Sequence, residues 1–139
     1  KFNFNKHNLT SSLSSLDPDN SYLKLKAKLF GTTSKGMIID TKTIQTTTLF
    51  SILEKENMES IDFLKIDTEG YEHNVLKGLE AKLSIVSLVM FEHHYDDMLK
   101  KDYTFRDIHR LLINNNFKQI YKYKMSFRKT FEYIYEKKL

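Results

Sequence analysis

Several residue types that build particular kinds of site are rare or absent in this chain. None of its 139 residues is cysteine, which excludes disulfides, thiolate catalysis and zinc–cysteine centres. The lack of cysteine also fits a reducing cytoplasm, and we expect a cytoplasmic location. There are only four glycines, none of them in a G-x-G pattern, so the chain contains no glycine-rich turn. No apolar run approaches the roughly 20 residues that a transmembrane helix needs.

The composition is that of one folded domain with a basic carboxyl-terminal end. Hydrophobic residues make up 40% of the chain, and 139 residues suffice for one domain with a core. The net charge is +4, and residues 118–139 hold seven basic residues and two acids. Such a segment can bind nucleic acid or anionic lipid. We favour a lysine-rich strand face in contact with water, and we do not expect nucleic acid as a partner.

Residues 1–46 are expected to precede the core as a loop followed by a β-hairpin. Polar clusters predict a loop over residues 1–21. Leu23, Leu25, Ala27 and Leu29 then alternate with lysines, which is the period of a half-buried strand. Residues 37–46 are rich in Ile and Thr, which favours a second strand after a turn.

Residues 47–139 have the pattern of an α/β domain. Thr48 is placed to cap a short helix, and Thr104 with Asp107 forms a capping box before a later one. The apolar segments 61–67 and 85–91 predict strands joined by a helix over 71–83, the second strand being covered on both faces. The strands predicted at 117–124 and 130–137 lie too close in sequence for a crossover, which indicates a terminal antiparallel β-hairpin.

Polar residues follow both apolar strands at the ends where open α/β sheets bind ligands. Asp67 and Glu69 follow the first strand, and Glu92, His93 and His94 end the second. A carboxylate there can orient a hydroxyl or amine, help to hold a divalent cation, or only cap the next helix. A histidine can act as a general base or join Asp67 and Glu92 around a cation, although adjacent histidines are also common on polar surfaces. Strand alternation places Glu92 and His94 on one face and His93 on the other.

Three further residues around the acidic turn have structural interpretations. Lys65 shares a strand face with Asp67, and a buried lysine there would need Asp67 or Glu92 as a partner. Gly70 is expected to permit a close backbone approach or a positive φ. Glu72 is expected to face solvent in the first turn of the helix.

Residues 64–78, with the sequence LKIDTEGYEHNVLKG, resemble the signature of the FkbM family of S-adenosylmethionine-dependent methyltransferases. The resemblance extends over roughly residues 43–135, although Phe50 and Ser51 stand where the family usually has two acids. It implies an α/β fold with a class I methyltransferase-like (Rossmann-like) sheet, of which this chain has the second half. In that fold the last strand lies antiparallel between the strand before it and the last parallel strand.

The resemblance also implies a reaction, the transfer of a methyl group from S-adenosylmethionine to an oxygen or nitrogen acceptor. Asp67, Glu69 and His94 are then the catalytic candidates, and Glu92 and His93 are the candidates for contacts with substrate or metal. The acceptor would be the hydroxyl of a small molecule, a glycan or a lipid, and a divalent cation is compatible with the residues.

The first half of the implied fold, with its glycine-rich turn, has no counterpart in the sequence. We therefore expect the cofactor-binding residues in an absent amino-terminal half, weak binding of S-adenosylmethionine by this chain, and a longer protein as its context. The strand at 61–67 would be an open sheet edge that invites a homodimer. The alternative to an enzyme is a non-catalytic binding module that uses its basic, aromatic carboxyl-terminal hairpin on nucleic acid or a protein partner.

Overall fold

The structure is a computed structural model that describes residues 1–5, 12–126 and 128–138. It is a mixed α/β fold, in which short 3₁₀ turns at Lys35–Met37 and Glu80–Ile85 supplement the strands and helices. In chain order these are β1 Phe2–Asn5, β2 Ser15–Leu16, α1 Ser21–Leu29, β3 Ile38–Lys42, α2 Leu49–Lys55, β4 Ile61–Ile66, α3 Glu72–Lys77, β5 Val86–His94, β6 Leu99–Lys100, α4 Phe105–Asn114, β7 Phe117–Lys124 and β8 Thr130–Lys137.

The largest sheet has four strands in the order β4-β5-β8-β7. β4 and β5 are parallel, with Leu64 opposite Val89, and β8 runs antiparallel to both β5 and β7. The predicted terminal hairpin is confirmed at both of its strands. β8 also lies between β7 and the last parallel strand, as the family resemblance implied.

The core lies on one face of this sheet. Side chains of α3 and α4 pack there against β5 and β8, where Phe91 is opposite Tyr133 and Val89 is opposite Tyr135. The other face is different, because Leu88 and Met90 are only half-buried and Phe63 is 50% exposed. The expectation that residues 85–91 form a strand covered on both faces is therefore wrong for this chain.

The predicted hairpin within residues 23–46 is also wrong. Residues 21–29 form helix α1, because Leu23 and Ala27 lie one helical turn apart and pack against Met37, Met98 and Leu99. The side chain of Asn20 caps this helix by accepting the N–H groups of the first turn.

The strand predicted after the turn does form, as β3, but its partner is not α1. β3 pairs antiparallel with β1, and β2 pairs antiparallel with β6, so two strands lie where a loop was expected over residues 1–21. Residues 6–11 of that stretch lie outside the described residues.

Two of the predicted helix signals are confirmed, and one helix is shorter than expected. Thr48 caps α2, because its side chain accepts the N–H of Ser51. In the capping box of α4, the side chain of Asp107 accepts the backbone N–H of Thr104, and the side chain of Thr104 accepts the backbone N–H of Asp107. Asn116 supplies the left-handed stop after α4, with a φ of 72°. The helix predicted over 71–83 ends at Lys77, because Gly78 interrupts it. The carbonyl of Gly78 accepts the N–H of Phe50 at 3.2 Å.

Candidate functional site

The turn between β4 and α3 holds the candidate carboxylates in a constrained backbone. Glu69 and Gly70 both have positive φ, 51° and 93° respectively. A Cβ atom on Gly70 would lie 3.0 Å from Oγ of Ser14, so the close approach and the positive φ predicted for this glycine are both confirmed. A positive φ at a non-glycine residue such as Glu69 is uncommon and needs support from its surroundings.

That support comes first from Glu72, which holds the N–H side of the turn. Its carboxylate accepts the N–H of Gly70 at 2.9 Å, the N–H of Thr68 at 3.3 Å and the hydroxyl of Thr68 at 3.1 Å. The second carboxylate oxygen accepts the hydroxyl of Tyr103 at 2.5 Å. Glu72 is 1% exposed, so the expectation that it faces solvent is wrong. A buried carboxylate needs such a set of donors.

The carbonyl side of the same turn is held by two serines from the amino-terminal segment. Ser12 donates its hydroxyl to the carbonyls of Thr68 and Glu69, at 3.2 and 2.8 Å. Ser14 donates to the carbonyl of Gly70 at 2.8 Å. Both serines are buried. The acidic turn is thus fixed from both sides, which limits how far its side chains can shift.

Asp67 lies at the carboxyl end of β4 and is accessible to solvent. Its carboxylate pairs with Nζ of Lys65 at 3.1 Å, and the two side chains are 45% and 51% exposed. The predicted pairing is confirmed, but it is a surface pair and not the buried one that the sequence suggested. Asp67 also borders an apolar cavity of about 660 Å³ that runs between β4 and α3.

His94 joins the ends of β4 and β5. Its Nε2 lies 3.3 Å from Oε2 of Glu69 and 3.9 Å from Oε2 of Glu92, and its Nδ1 lies 3.1 Å from the hydroxyl of Thr130. The side chain of His94 is only 6% exposed. With partners at both ring nitrogens, this imidazole is arranged to orient the two glutamates.

Glu92 is a partly buried carboxyl group of this site with a perturbed acidity. Burial raises its pKa, the negative charge of Asp67 raises it further, and His94 partly opposes both effects. A carboxylate with a raised pKa binds a proton more readily near neutral pH than an ordinary one does.

His93 faces the helix-covered side of the sheet, opposite to Glu92 and His94, as strand alternation predicted. It is 3% exposed, and burial lowers its pKa to about 4, so the ring is neutral at physiological pH. Within the described residues its Nδ1 has no hydrogen-bond partner. The rings of Tyr95, Tyr103 and Phe105 surround it, with centroids 4.8 to 6.0 Å away.

The structure therefore brings Glu69, Glu92 and His94 into contact, with Asp67 close enough to affect Glu92, and separates His93 from them. Their arrangement is not that of a metal site: in the part of the chain that the structure describes, no set of three or more His, Asp or Glu side chains could hold a metal ion, so the divalent cation has no support.

The sequence analysis missed the residues that hold the turn: Glu72, Tyr103, Ser12 and Ser14. The only local signal was a second acid directly at the start of the helix after Gly70.

The sequence model of the methyltransferase FkbM domain matches residues 3–123. The chain belongs to the FkbM methyltransferase family. The match begins well before residue 43, where the resemblance seen in the sequence began, and it includes the two serines that hold the acidic turn. It supports a methyltransferase and gives no support to a non-catalytic binding module.

No curated protein and no solved structure matches this FkbM domain. Among its described residues, no helix has both the length and the apolar character to cross a membrane.

The tyrosines of the carboxyl-terminal hairpin divide between two environments, since Tyr133 and Tyr135 are buried while Tyr121 and Tyr123 are about half exposed.

Proposed function

We propose that this chain forms the acceptor side of a methyltransferase that uses S-adenosylmethionine and transfers its methyl group to an oxygen or nitrogen atom. The observation that carries the proposal is the grouping of Asp67, Glu69, Glu92 and His94 at the carboxyl ends of two parallel strands in an FkbM domain. The strand order β4-β5-β8-β7 supports a Rossmann-like sheet, in which this is the end that binds ligands.

The residues present do not fit the whole of the cofactor. The chain has no glycine-rich turn against which the methionine part could lie. S-adenosylmethionine would supply the methyl group, and the residues that hold most of it are not among those of this chain.

The chemistry assigned to this chain is the handling of the acceptor and its proton. A hydroxyl or amine that becomes methylated loses a proton, and a carboxylate with a raised pKa is suited to take it. Glu92 has that property, while Asp67 is exposed and able to orient the acceptor by a hydrogen bond. His94 and Glu69 keep Glu92 in place. We propose a small molecule, glycan or lipid as the acceptor.

The test is a pair of substitutions in the full-length protein, Asp67→Asn and Glu92→Gln. Each should lower kcat by roughly 10²-fold or more, since general-base catalysis contributes about that much, with little change in Tm. Asp62→Asn is the matched control, because Asp62 is an exposed carboxylate on the same strand. Methyl transfer and thermal unfolding are measured in parallel. If activity survives at Asp67→Asn while Tm falls, Asp67 is a helix cap and its assignment is wrong.

A further inference from the structure

Two cavities lie side by side at the carboxyl end of β5 and share Tyr95 and Asp97 as lining residues. Their volumes are about 420 and 720 Å³, which is the size range of sites for small ligands. We call the two together the β5 groove. His94 lines one of them, so the groove adjoins the grouped acids through the contact between His94 and Glu69.

The smaller cavity has aromatic walls. Tyr95, Tyr103 and Phe105 line it together with the ring of His93. The rings of Tyr95 and His93 meet edge to face with centroids 4.8 Å apart, and the ring of Phe105 lies 5.9 Å from His93 and 6.2 Å from Tyr95. Walls of this kind pack against the faces of a ring-shaped ligand.

His93 lines this cavity, but its Nδ1 atom is itself buried and has no hydrogen-bond partner among the described residues. A buried polar atom without a partner costs about 1–3 kcal/mol, and native proteins rarely keep one without a reason. Because the ring is neutral, its free nitrogen can accept or donate one hydrogen bond, according to the tautomer. A hydroxyl group of a ligand matches that capacity, provided that the ring turns to meet it.

The charges along the β5 groove are mostly positive. The five cationic side chains that line it outnumber its two carboxylates, those of Asp96 and Asp97; the cations are Lys101, Arg106, Lys124, Arg128 and Lys129. Among the described residues, none of these five has a carboxylate oxygen within 4.0 Å. Elsewhere in the chain, lysines such as Lys24 and Lys118 do have such partners.

The ammonium group of Lys101 is partly buried in this groove without a carboxylate partner among the described residues. Burial lowers the pKa of this ammonium group, which donates to the carbonyl of His94 at 2.5 Å and to no other acceptor among the described residues. An ammonium group has three donors, so an anion in the groove would satisfy the others and offset the burial.

From these features we propose that the β5 groove binds a hydroxylated ring that carries a phosphate or a carboxylate. The ring lies against Tyr95 and Phe105, a hydroxyl meets the turned imidazole of His93, and the anionic group meets the cations. This binding does not depend on the proposed methyl transfer, and the two are tested separately.

The experiment measures binding to the whole chain without S-adenosylmethionine. Glucose 6-phosphate, glucuronate, glucose and inorganic phosphate are titrated while amide shifts are followed by NMR. We expect at least one of the two anionic sugars to bind about tenfold or more tightly than glucose and than inorganic phosphate, with shifts centred on His93, Tyr95 and Lys101. The tighter of the two identifies the anionic group.

Two positions on α4 provide a matched pair of variants. Arg106 lines the groove and Arg110, one turn further along, does not. Arg106→Gln should weaken binding of the anionic sugar about tenfold, the usual effect of losing one charged hydrogen bond, and should leave glucose unchanged. Arg110→Gln should change neither. Lys101→Gln should act like Arg106→Gln if its fold is intact.

The proposal is overturned if glucose binds as tightly as both anionic sugars, if inorganic phosphate binds as tightly as glucose 6-phosphate, or if Arg110→Gln and Arg106→Gln have equal effects. Absence of measurable binding by all four probes at about 10 mM, roughly the weakest range in which a sugar site is useful, also overturns it. Binding as expected in a protein that transfers no methyl group would instead contradict the proposed function.

Discussion

His93 is a buried imidazole that the fold holds in its neutral form. Burial among the rings of Tyr95, Tyr103 and Phe105 lowers its pKa most, and the positive charge of Lys101 lowers it further. Its pKa of about 4 lies below the ordinary value of 6.5, so the unfolded chain binds a proton here at a pH where the folded chain does not. Stability is therefore complete above pH 6.5 and is lost as the pH falls toward 4. The loss is about 3 kcal/mol, at roughly 1.4 kcal/mol per pKa unit.

His93→Phe should remove that loss and also remove the unpaired nitrogen. We expect the free energy of unfolding at pH 7 to rise by about 1–3 kcal/mol, and the difference from the wild type to widen as the pH falls from 6.5 to 4. Urea unfolding at pH 7, 5 and 4 measures both effects. Glu92, with its raised pKa, acts in the opposite direction, but it is present in both proteins and cancels in the comparison. A constant difference across this range would show that His93 is not the titrating group.

At the scale of elements, the acidic turn depends on a carboxylate that contacts four donors, one of them 31 residues away on Tyr103. Glu72→Gln replaces one acceptor oxygen by a donor group and so leaves at least one buried donor unpaired. We expect it to lower the free energy of unfolding by roughly 2–4 kcal/mol, and Tyr103→Phe to lower it by about 1–2 kcal/mol.

Chemical denaturation measures these losses, with Glu59→Gln as the control, because Glu59 is exposed outside the helices and strands. The two effects should be less than additive in the double variant, since both substitutions remove the same contact. Additive losses would mean that Glu72 and Tyr103 act independently, and that the turn is held mainly by the backbone.

Elements with strong local signals could be predicted from the sequence. The strands of the terminal hairpin and the start of the helix after Thr104 were located within a residue or so, because a short connection and a capping box are local features. α1 could not be, because Leu23 and Ala27 satisfy both a strand period and a helix period. Its packing against Met98 and Leu99 decided between them, and that contact spans about 70 residues of sequence.

In the candidate site, too, some features follow from local sequence and others depend on distant segments. The nearness of Asp67, Glu69 and Glu92 follows from the rule that the carboxyl ends of neighbouring parallel strands meet, and Lys65 pairs with Asp67 because the two lie two residues apart. The burial of Glu72 and the roles of Ser12 and Ser14 depend on segments that are distant in sequence. Apart from the acid at the start of α3, no local pattern indicates them.

For the whole molecule, the main feature is a sheet that stops at β4. In the described residues β4 pairs only with β5, and the region before residue 47 forms α1 and small sheets of its own, not a hairpin that covers this edge. Phe63 is 50% exposed on β4, and an apolar cavity lined by Leu64, Ile66 and Val75 runs beside it. Free backbone groups next to apolar side chains favour pairing with another chain.

We therefore predict that the isolated chain self-associates through β4. Light scattering over a concentration series should show dimers or larger species whose fraction rises with concentration. Phe63→Glu should weaken the association about tenfold or more, because burying a half-exposed phenylalanine contributes roughly 1–2 kcal/mol and a buried carboxylate opposes contact. Ile39→Glu, at a residue that is 60% exposed on β3, is the matched control and should have no such effect. A monomer at every concentration, with strong hydrogen-exchange protection of the amides of Leu64 and Ile66, would contradict this prediction. Such protection would require a segment of the same chain to pair with the outer side of β4.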